Sequence, residues 1–353
     1  LEGKGVVKPG RTINGRVTIN EVAKRAGVSI STVSRVLNGL DRVHPQTRAR
    51  VLSVVDDLRY QPSALARGLA IQKSQTLGFV IPTLSDFFYL EIVRGVEQAA
   101  AQANYNLLVV SQLAAQDSRR YLQLFDQRRV DGMVLVGVSI PADELTRLTA
   151  QGFPVAVLQQ AVGEGAFTFL ADNYGGAYDL AEHLLELGYR RIAYIAGSDH
   201  TPDNAERRRG LEAALAKRGL PLPDTLVVQG DYSRQSGYRA MQRLLALGPL
   251  PEAVFAANDQ MAMEAILAIR DHHLRVPEDI AVVGFDDISL AAYVAPPLTT
   301  VRQPAYELGY QAACTVLEAL EEPQVPRRMV LPTQLVVRQS CGSALLSESS
   351  ERR

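Results

Sequence analysis

Residues 18–39 read TINEVAKRAGVSISTVSRVLNG. Two short helical patterns meet at Gly27: Val22, Ala23 and Ala26 share one face of the first, and Val33, Val36 and Leu37 share one face of the second. Thr18 followed three residues later by Glu21 has the form of a capping box, and Ser29 stands where the second helix needs an oxygen for its orphan N–H groups. Asn38-Gly39 ends the pattern. Helices crossing at a Gly-containing turn form a helix-turn-helix, whose second helix is narrow enough for the DNA major groove. Ile30, Ser31, Thr32, Ser34 and Arg35 point outward from that helix. Spacing alone fits two small core helices of no special purpose equally well.

The side chains add what spacing leaves open. The pattern A-x-x-x-G-V-S-x-x-T-V-S-R-x-L-N, from Ala23 to Asn38, resembles the head of the lactose/galactose-repressor family of bacterial transcription regulators. By that resemblance DNA contacts fall to Thr18, Ser29, Ile30, Ser31, Thr32, Ser34, Arg35 and Asn38. Arg35 offers a forked donor suited to guanine, Ser31 and Thr32 can bond bases or phosphates, and Ile30 can touch a thymine methyl.

Charge is distributed to match. The net charge of the 353 residues is only −1, yet residues 1–73 hold 13 basic and 5 acidic side chains, leaving 24 basic and 33 acidic for the remainder. A basic head on an acidic body attracts phosphate at one end. The length exceeds one ordinary core and fits two or three domains. Cys314 and Cys341 form no C-x-x-C or His-paired spacing, which fits a thiol-keeping cytoplasm and opposes a metal site or disulfide framework. With no apolar run of membrane-spanning length and no secretory segment, a cytoplasmic, nucleoid-associated protein with no membrane partner is expected.

Beyond the motif, His44-Pro45 has the form of a cap followed by Pro at the first helical position, and Val51, Leu52, Val55 and Leu58 offer a buried stripe that closes the head. Residues 63–70, SALARGLA, make a short segment too brief to stay helical alone. It is either a plain linker or, by the resemblance, a hinge helix that pairs with its twin in a homodimer on operator DNA. Leu69 then wedges into the minor groove and Ala66 packs against its twin.

From Thr76 strands alternate with helices. Apolar strand candidates are Leu77–Ile81, Leu107–Val110, Met133–Val136, Val155–Leu158, Ile192–Ile195, Leu226–Val228, Ala253–Ala256 and Ala281–Phe285, with Met329–Val337 returning near the end. Amphipathic helices are expected at Tyr89–Ala103, Ser118–Gln127, Tyr178–Leu187, Glu206–Lys217, Tyr238–Ala246, Gln260–Ile269 and Tyr306–Glu321. Such alternation means parallel sheets covered on both faces, too many strands for one open sheet, and so two similar lobes changing over near Asp172-Asn173-Tyr174. The resemblance extends over residues 17–342 and implies a periplasmic-binding-protein-like α/β core of two parallel sheets behind an all-α helix-turn-helix head. The divisions expected are a flexible arm or expression remnant (1–16), the head (17–61), the hinge (62–73), the effector-binding and dimerisation core (74–342) and a disordered tail (343–353).

Ligands in such sheets bind beyond the carboxyl ends of the strands, here between the lobes. By resemblance Arg207, Tyr232, Asn258, Asp286 and Gln303 meet the effector, while Ser85, Asp86 and Phe87 line the opposite lobe and Gln159 stands where several sugar-responsive relatives have Asp. Plainer roles exist for each: Asn258 and Asp286 as helix caps, Tyr232 over a surface turn, Arg207 as a solvated charge in Glu206-Arg-Arg-Arg209. Catalysis is disfavoured because Asp286 and Asp287, on an extended segment, point to opposite faces. No G-x-G-x-x-G or Walker loop follows the first strand, so no nucleotide cofactor is expected, and the five histidines show no metal spacing. The reading is a homodimeric repressor of carbohydrate uptake or catabolism genes, released from a pseudo-palindromic operator by a sugar-like effector. Alternatives are a purine- or phosphosugar-responsive regulator using a corepressor and, more remotely, a non-regulatory sugar-binding protein.

Overall fold

A computed structural model describes residues 17–37, 39, 43–60, 73–111, 118–137, 140–160, 162, 165–199 and 201–343. The chain divides into two units, residues 1–74 and 75–353. Asn38, Ala66, Leu69, the 1–16 arm, most of the hinge and the tail beyond residue 343 lie outside the described residues.

In the first unit α1 (Ile19–Ala26), α2 (Ile30–Leu37) and α3 (Pro45–Asp57) close on Val22, Ala23, Ala26, Val33, Val36, Val51 and Tyr60. Gly27 ends α1 at φ 63°. A Cβ there would meet nothing within 4 Å, so the left-handed backbone, not crowding, requires glycine. Ser29 caps α2, its Oγ accepting the Thr32 N–H at 3.2 Å. The expected capping box is not formed. Thr18 holds the N-cap position, but its hydroxyl takes no capping bond, and the Glu21 N–H turns to the Thr18 carbonyl at 3.0 Å instead. His44 also precedes Pro45 without a side-chain cap. The α3 stripe shifts as well: Leu52 is 43% exposed, and Val54 joins Val55 and Leu58 against the core. At 3.6 residues per turn position 52 lies about 100° from position 51, which is enough to carry it off the buried face.

The second unit opens with β1 (Thr76–Ile81), α4 (Phe87–Gln102), β2 (Asn106–Ser111), α5 (Ser118–Asp126), β3 (Gly132–Val136), α6 (Ala142–Ala150), β4 (Val155–Leu158) and β5 (Phe167–Ala171). It continues with α7 (Asn173–Glu186), β6 (Ile192–Ala196), α8 (Pro202–Lys217), β7 (Val227–Gln229), α9 (Arg234–Leu245), β8 (Ala253–Ala256), α10 (Asp259–Asp271) and β9 (Ala281–Val283). Last come β10 (Thr300–Arg302), α11 (Ala305–Glu321), β11 (Arg328–Leu331) and β12 (Gln334–Val336).

Lobe one is a six-stranded parallel sheet ordered β11-β5-β4-β3-β1-β2, and lobe two a four-stranded parallel sheet ordered β7-β6-β8-β9, flanked by the antiparallel pair β10-β12. Alternate residues of β1 take opposite faces: Leu77, Phe79 and Ile81 pack with Ile92 and Val96 of α4, while Val80 joins Leu145 and Leu148 of α6. Each fully buried side chain of this size contributes roughly 1.5–3 kcal/mol. Three passages join the lobes: β5 to α7, β10 to α11, and β11 to β12.

Several expectations are corrected. The lobes are unequal, with six and four strands in their main sheets. The single strand expected over Met329–Val337 is two, split at Pro332-Thr333, with β11 serving lobe one and β12 pairing with β10. Proline has no N–H for a ladder, so the chain changes partner there. The strand expected over Ala281–Phe285 ends at Val283, and Asp286 reaches residues 301–302 through the Asp286 N–H to Val301 carbonyl bond. Two strands, β5 and β10, and the helix α6 were not expected: β10 spans only three residues and α6 buries only Leu145 and Leu148, whereas β5, FTFLA, is an apolar run that was overlooked. α7, α8 and α9 begin about a turn earlier than expected because their first turns, glycine-rich in α7 and polar in α8 and α9, carry no apolar stripe.

Candidate functional site

On α2, Ile30 is 48% exposed, Ser31 and Arg35 are exposed, and Thr32 and Ser34 are half-buried. Val33 and Val36 face inward and fix this presentation. Ser29 Oγ lies 2.8 Å from Ser31 Oγ and 2.9 Å from Thr32 Oγ1, so the hydroxyls at the start of the helix hold one another. The structure thus keeps the five outward positions read from the sequence on one accessible stretch, with Ser29 as the cap.

In the second unit the strand ends of both lobes open on a cleft of about 970 Å³. Lobe one contributes Ser85, Asp86 and Phe87 beyond β1 and Gln159 beyond β4; lobe two contributes Asp203, Arg207, Tyr232, Asn258 and Asp286. Eight of the nine residues expected at the cleft therefore line one cavity. Gln303 does not line it. Its side chain is 4% exposed and donates from Nε2 to Asp286 Oδ1 at 2.7 Å, which places it behind that carboxylate.

Arg207 is the centre of the arrangement. It is 2% exposed, which rules out the solvated-charge role, whereas Arg208 and Arg209 of the same run make surface pairs. Its Nε donates to Asn173 Oδ1 at 2.7 Å and its Nη1 to the Ala257 carbonyl at 2.5 Å. Asp286 lies 3.6 Å from Nη1 and Asp203 4.0 Å from Nη2. The guanidinium carbon sits 4.0 Å from the centroid of the Phe285 ring, a stacked cation that would otherwise be hard to bury.

Burial dominates the carboxylates. It pushes Asp203 up to about 6 against the pull of Arg207. Asp286 rises to about 7 for the same reason, Arg207 opposing and Asp86 reinforcing. An ion pair normally lowers an acid, so the opposite outcome at Asp286 shows desolvation outweighing one guanidinium shared among several carboxylates. Burial also raises Asp86, which caps α4 by accepting the Phe88 N–H at 3.0 Å and meets Gln260 of the opposite lobe.

Asn258 is a helix cap, its Oδ1 accepting the Met261 N–H at the start of α10, and it also lines the cleft, with its Nδ2 donating to the Tyr232 carbonyl. Asp286 is no cap, since Ile288 precedes the short 3-10 turn after it. Tyr232 packs its ring against Gly197, where a Cβ would lie 2.1 Å from the ring carbon bearing the hydroxyl, and its OH sits 3.0 Å from Thr201 Oγ1. The segment at Asp286 and Asp287 is not extended, with φ of 117° and 56°. The two still diverge: Asp287 accepts from Arg302 and Arg338 while Asp286 faces the cleft.

Sequence reading missed Asp203, Asn173 and Tyr89. Asp203 lies one helical turn before Arg207 on α8, and starting that helix at Glu206 concealed the pairing. Asn173, 5% exposed, lay within the change-over that was read, but nothing in the pattern marked its amide. Among the described residues no group of His, Cys, Asp and Glu could hold a metal ion, and no helix is long and apolar enough to cross a membrane.

Residues 18–63 match the family described as bacterial regulatory proteins, lacI family, and residues 181–341 match the periplasmic binding protein-like domain. Catabolite control protein A of Priestia megaterium is 35% identical over 92% of this chain and 99% of its own length. The ribose operon repressor of Escherichia coli (strain K12) is 36% identical over 93% of this chain and 99% of its own. Among solved structures, the lac repressor dimer bound to operator and the anti-inducer ONPF superposes with a TM-score of 0.81 at 28% identity, over 92% of this chain and 99% of that one. The chain belongs to the lacI family of bacterial regulatory proteins and is a DNA-binding regulator of transcription.

Proposed function

We propose that this regulator is a homodimeric cytoplasmic repressor of carbohydrate uptake or catabolism genes, released from a pseudo-palindromic operator when a sugar-like effector fills the cleft. The observation that carries the reading is the cleft itself, in which polar groups from two lobes converge around one buried guanidinium. Ile30, Ser31, Thr32, Ser34 and Arg35 read bases, while Thr18, Ser29 and Asn38 fix the head on phosphates. Ala66 and Leu69 belong to the hinge helix, which pairs with its twin and wedges the minor groove. A ligand bridging Asp86 or Phe87 on one lobe and Asp286 or Tyr232 on the other favours the closed arrangement, turning about the three passages between the lobes. It shifts operator binding only as far as it prefers one arrangement.

The test is quantitative footprinting of the full chain on genomic promoter fragments at moderate salt, repeated with a panel of sugars and nucleobases. The expected result is protection of two related half-sites, lost when one sugar is added. Absence of any sequence preference overturns the reading, and a metabolite that tightens operator binding replaces the inducer with a corepressor.

A further inference from the structure

The cleft is rich in carboxylates, and its cations are already paired. Arg207 is already taken up by the protein, through Asn173, the Ala257 carbonyl, Asp286 and Asp203. The Asn173 amide suits both charges at once, its oxygen toward the guanidinium and its nitrogen 3.1 Å from Asp203 Oδ1. The second cation lining the cleft among the described residues, Arg234, is turned to Glu264 at 2.5 Å. Both polar ends of Asn258 are engaged within the protein. On the acceptor side, Asp203 and Asp286 share that one guanidinium, and Asp86 of the opposite lobe lines the same cleft without an ion pair to it among the described residues.

We infer that the effector is an unphosphorylated, donor-rich molecule, a neutral or amino-bearing sugar, and that the cleft rejects sugar phosphates. This rests on the sugar-responsive reading and narrows it. Hydroxyl and ammonium groups donate to carboxylates in charge-assisted bonds, whereas a phosphate brings only acceptors and further negative charge into a site without a free cation. Phe87, 39% exposed at the mouth, and Tyr232 opposite offer ring faces to the C–H side of a sugar.

Titration calorimetry on the full chain tests this with matched probes: glucose, glucosamine and glucose 6-phosphate; ribose and ribose 5-phosphate; cellobiose and maltose; hypoxanthine and inosine 5′-phosphate. The expected result is binding by an unphosphorylated sugar, weakened at least about 100-fold by a phosphate on the same ring at low salt. Asp86→Asn should narrow that gap. A sugar phosphate that binds as tightly as its parent overturns the charge rule and leaves the sugar reading standing. Binding confined to the nucleobase pair overturns the sugar reading, and the ratio within that pair then judges the charge rule. Binding by none of the probes overturns both.

Discussion

On α2 the side chains proposed to meet DNA stand at the surface, Ile30 48% exposed beside Ser31 and Arg35, whereas in the cleft Arg207 is 2% and Asp286 9% exposed. The first set rests on a core it does not enter. The second set is part of the core it serves: Arg207 ties α8 to Asn173 at the lobe passage, to the end of β8 at Ala257, and to Asp286 beyond β9. A head built this way can change its reading face at little structural cost. A cleft built this way cannot change one charge without disturbing the others, because desolvation makes each depend on its neighbours.

The sharpest way to break this contrast is Arg207→Ala. Removing a buried cation strands two carboxylates, a carbonyl and an amide, so urea unfolding of the full chain should show a loss of about 3–5 kcal/mol together with loss of effector binding. Stability unchanged from wild type would mean that the cleft is as detachable as the head's surface. The counterpart is Arg35→Ala, which should cost about 1–3 kcal/mol in operator affinity by fluorescence anisotropy. The same substitution should leave the unfolding midpoint within about 0.5 kcal/mol of wild type.

A pH series sharpens the electrostatic half. Burial raises Asp203 to about 6 and Asp286 to about 7 in the folded protein. The native state therefore holds protons that the unfolded chain releases, and these groups make the body more stable as pH falls from 7 toward 5. The slope is at most about 1.4 kcal/mol per pH unit for each group. Asp286→Asn should flatten it in urea titrations at pH 5, 6 and 7; an undiminished slope would assign the effect elsewhere. The smallest expected effect is at Ser29→Ala, where loss of the cap should cost roughly 1 kcal/mol of local helix stability. Faster amide exchange confined to α2 would register it, and unchanged exchange would show that the Thr32 and Ser31 hydroxyls replace the cap.

How much was legible differs between the regions. Local rules sufficed for the head: the periodicity of Val22, Ala23, Ala26, Val33 and Val36, the left-handed Gly27 and the Ser29 cap all act within a turn or two of chain. They failed at Thr18, where a backbone carbonyl took the bond reserved for a hydroxyl. In the body, strands buried on both faces were read from continuous apolar runs, but α6 and β10 were not, since what holds them is contact with distant elements rather than their own pattern.

Sequence alone determined the helices of the head and the change-over at residues 172–174, because apolar period and turn chemistry are properties of short stretches, while most cleft residues were named through the family resemblance. Tertiary structure decided the rest. It set lobes of six and four strands, split the last strand at Pro332, placed Gln303 behind Asp286 and brought Asp203 and Asn173 to Arg207. The reason is physical: the charge state and partners of a buried group depend on what is packed around it in space, and residues 86, 173, 207 and 286 become neighbours only once two separate sheets have formed.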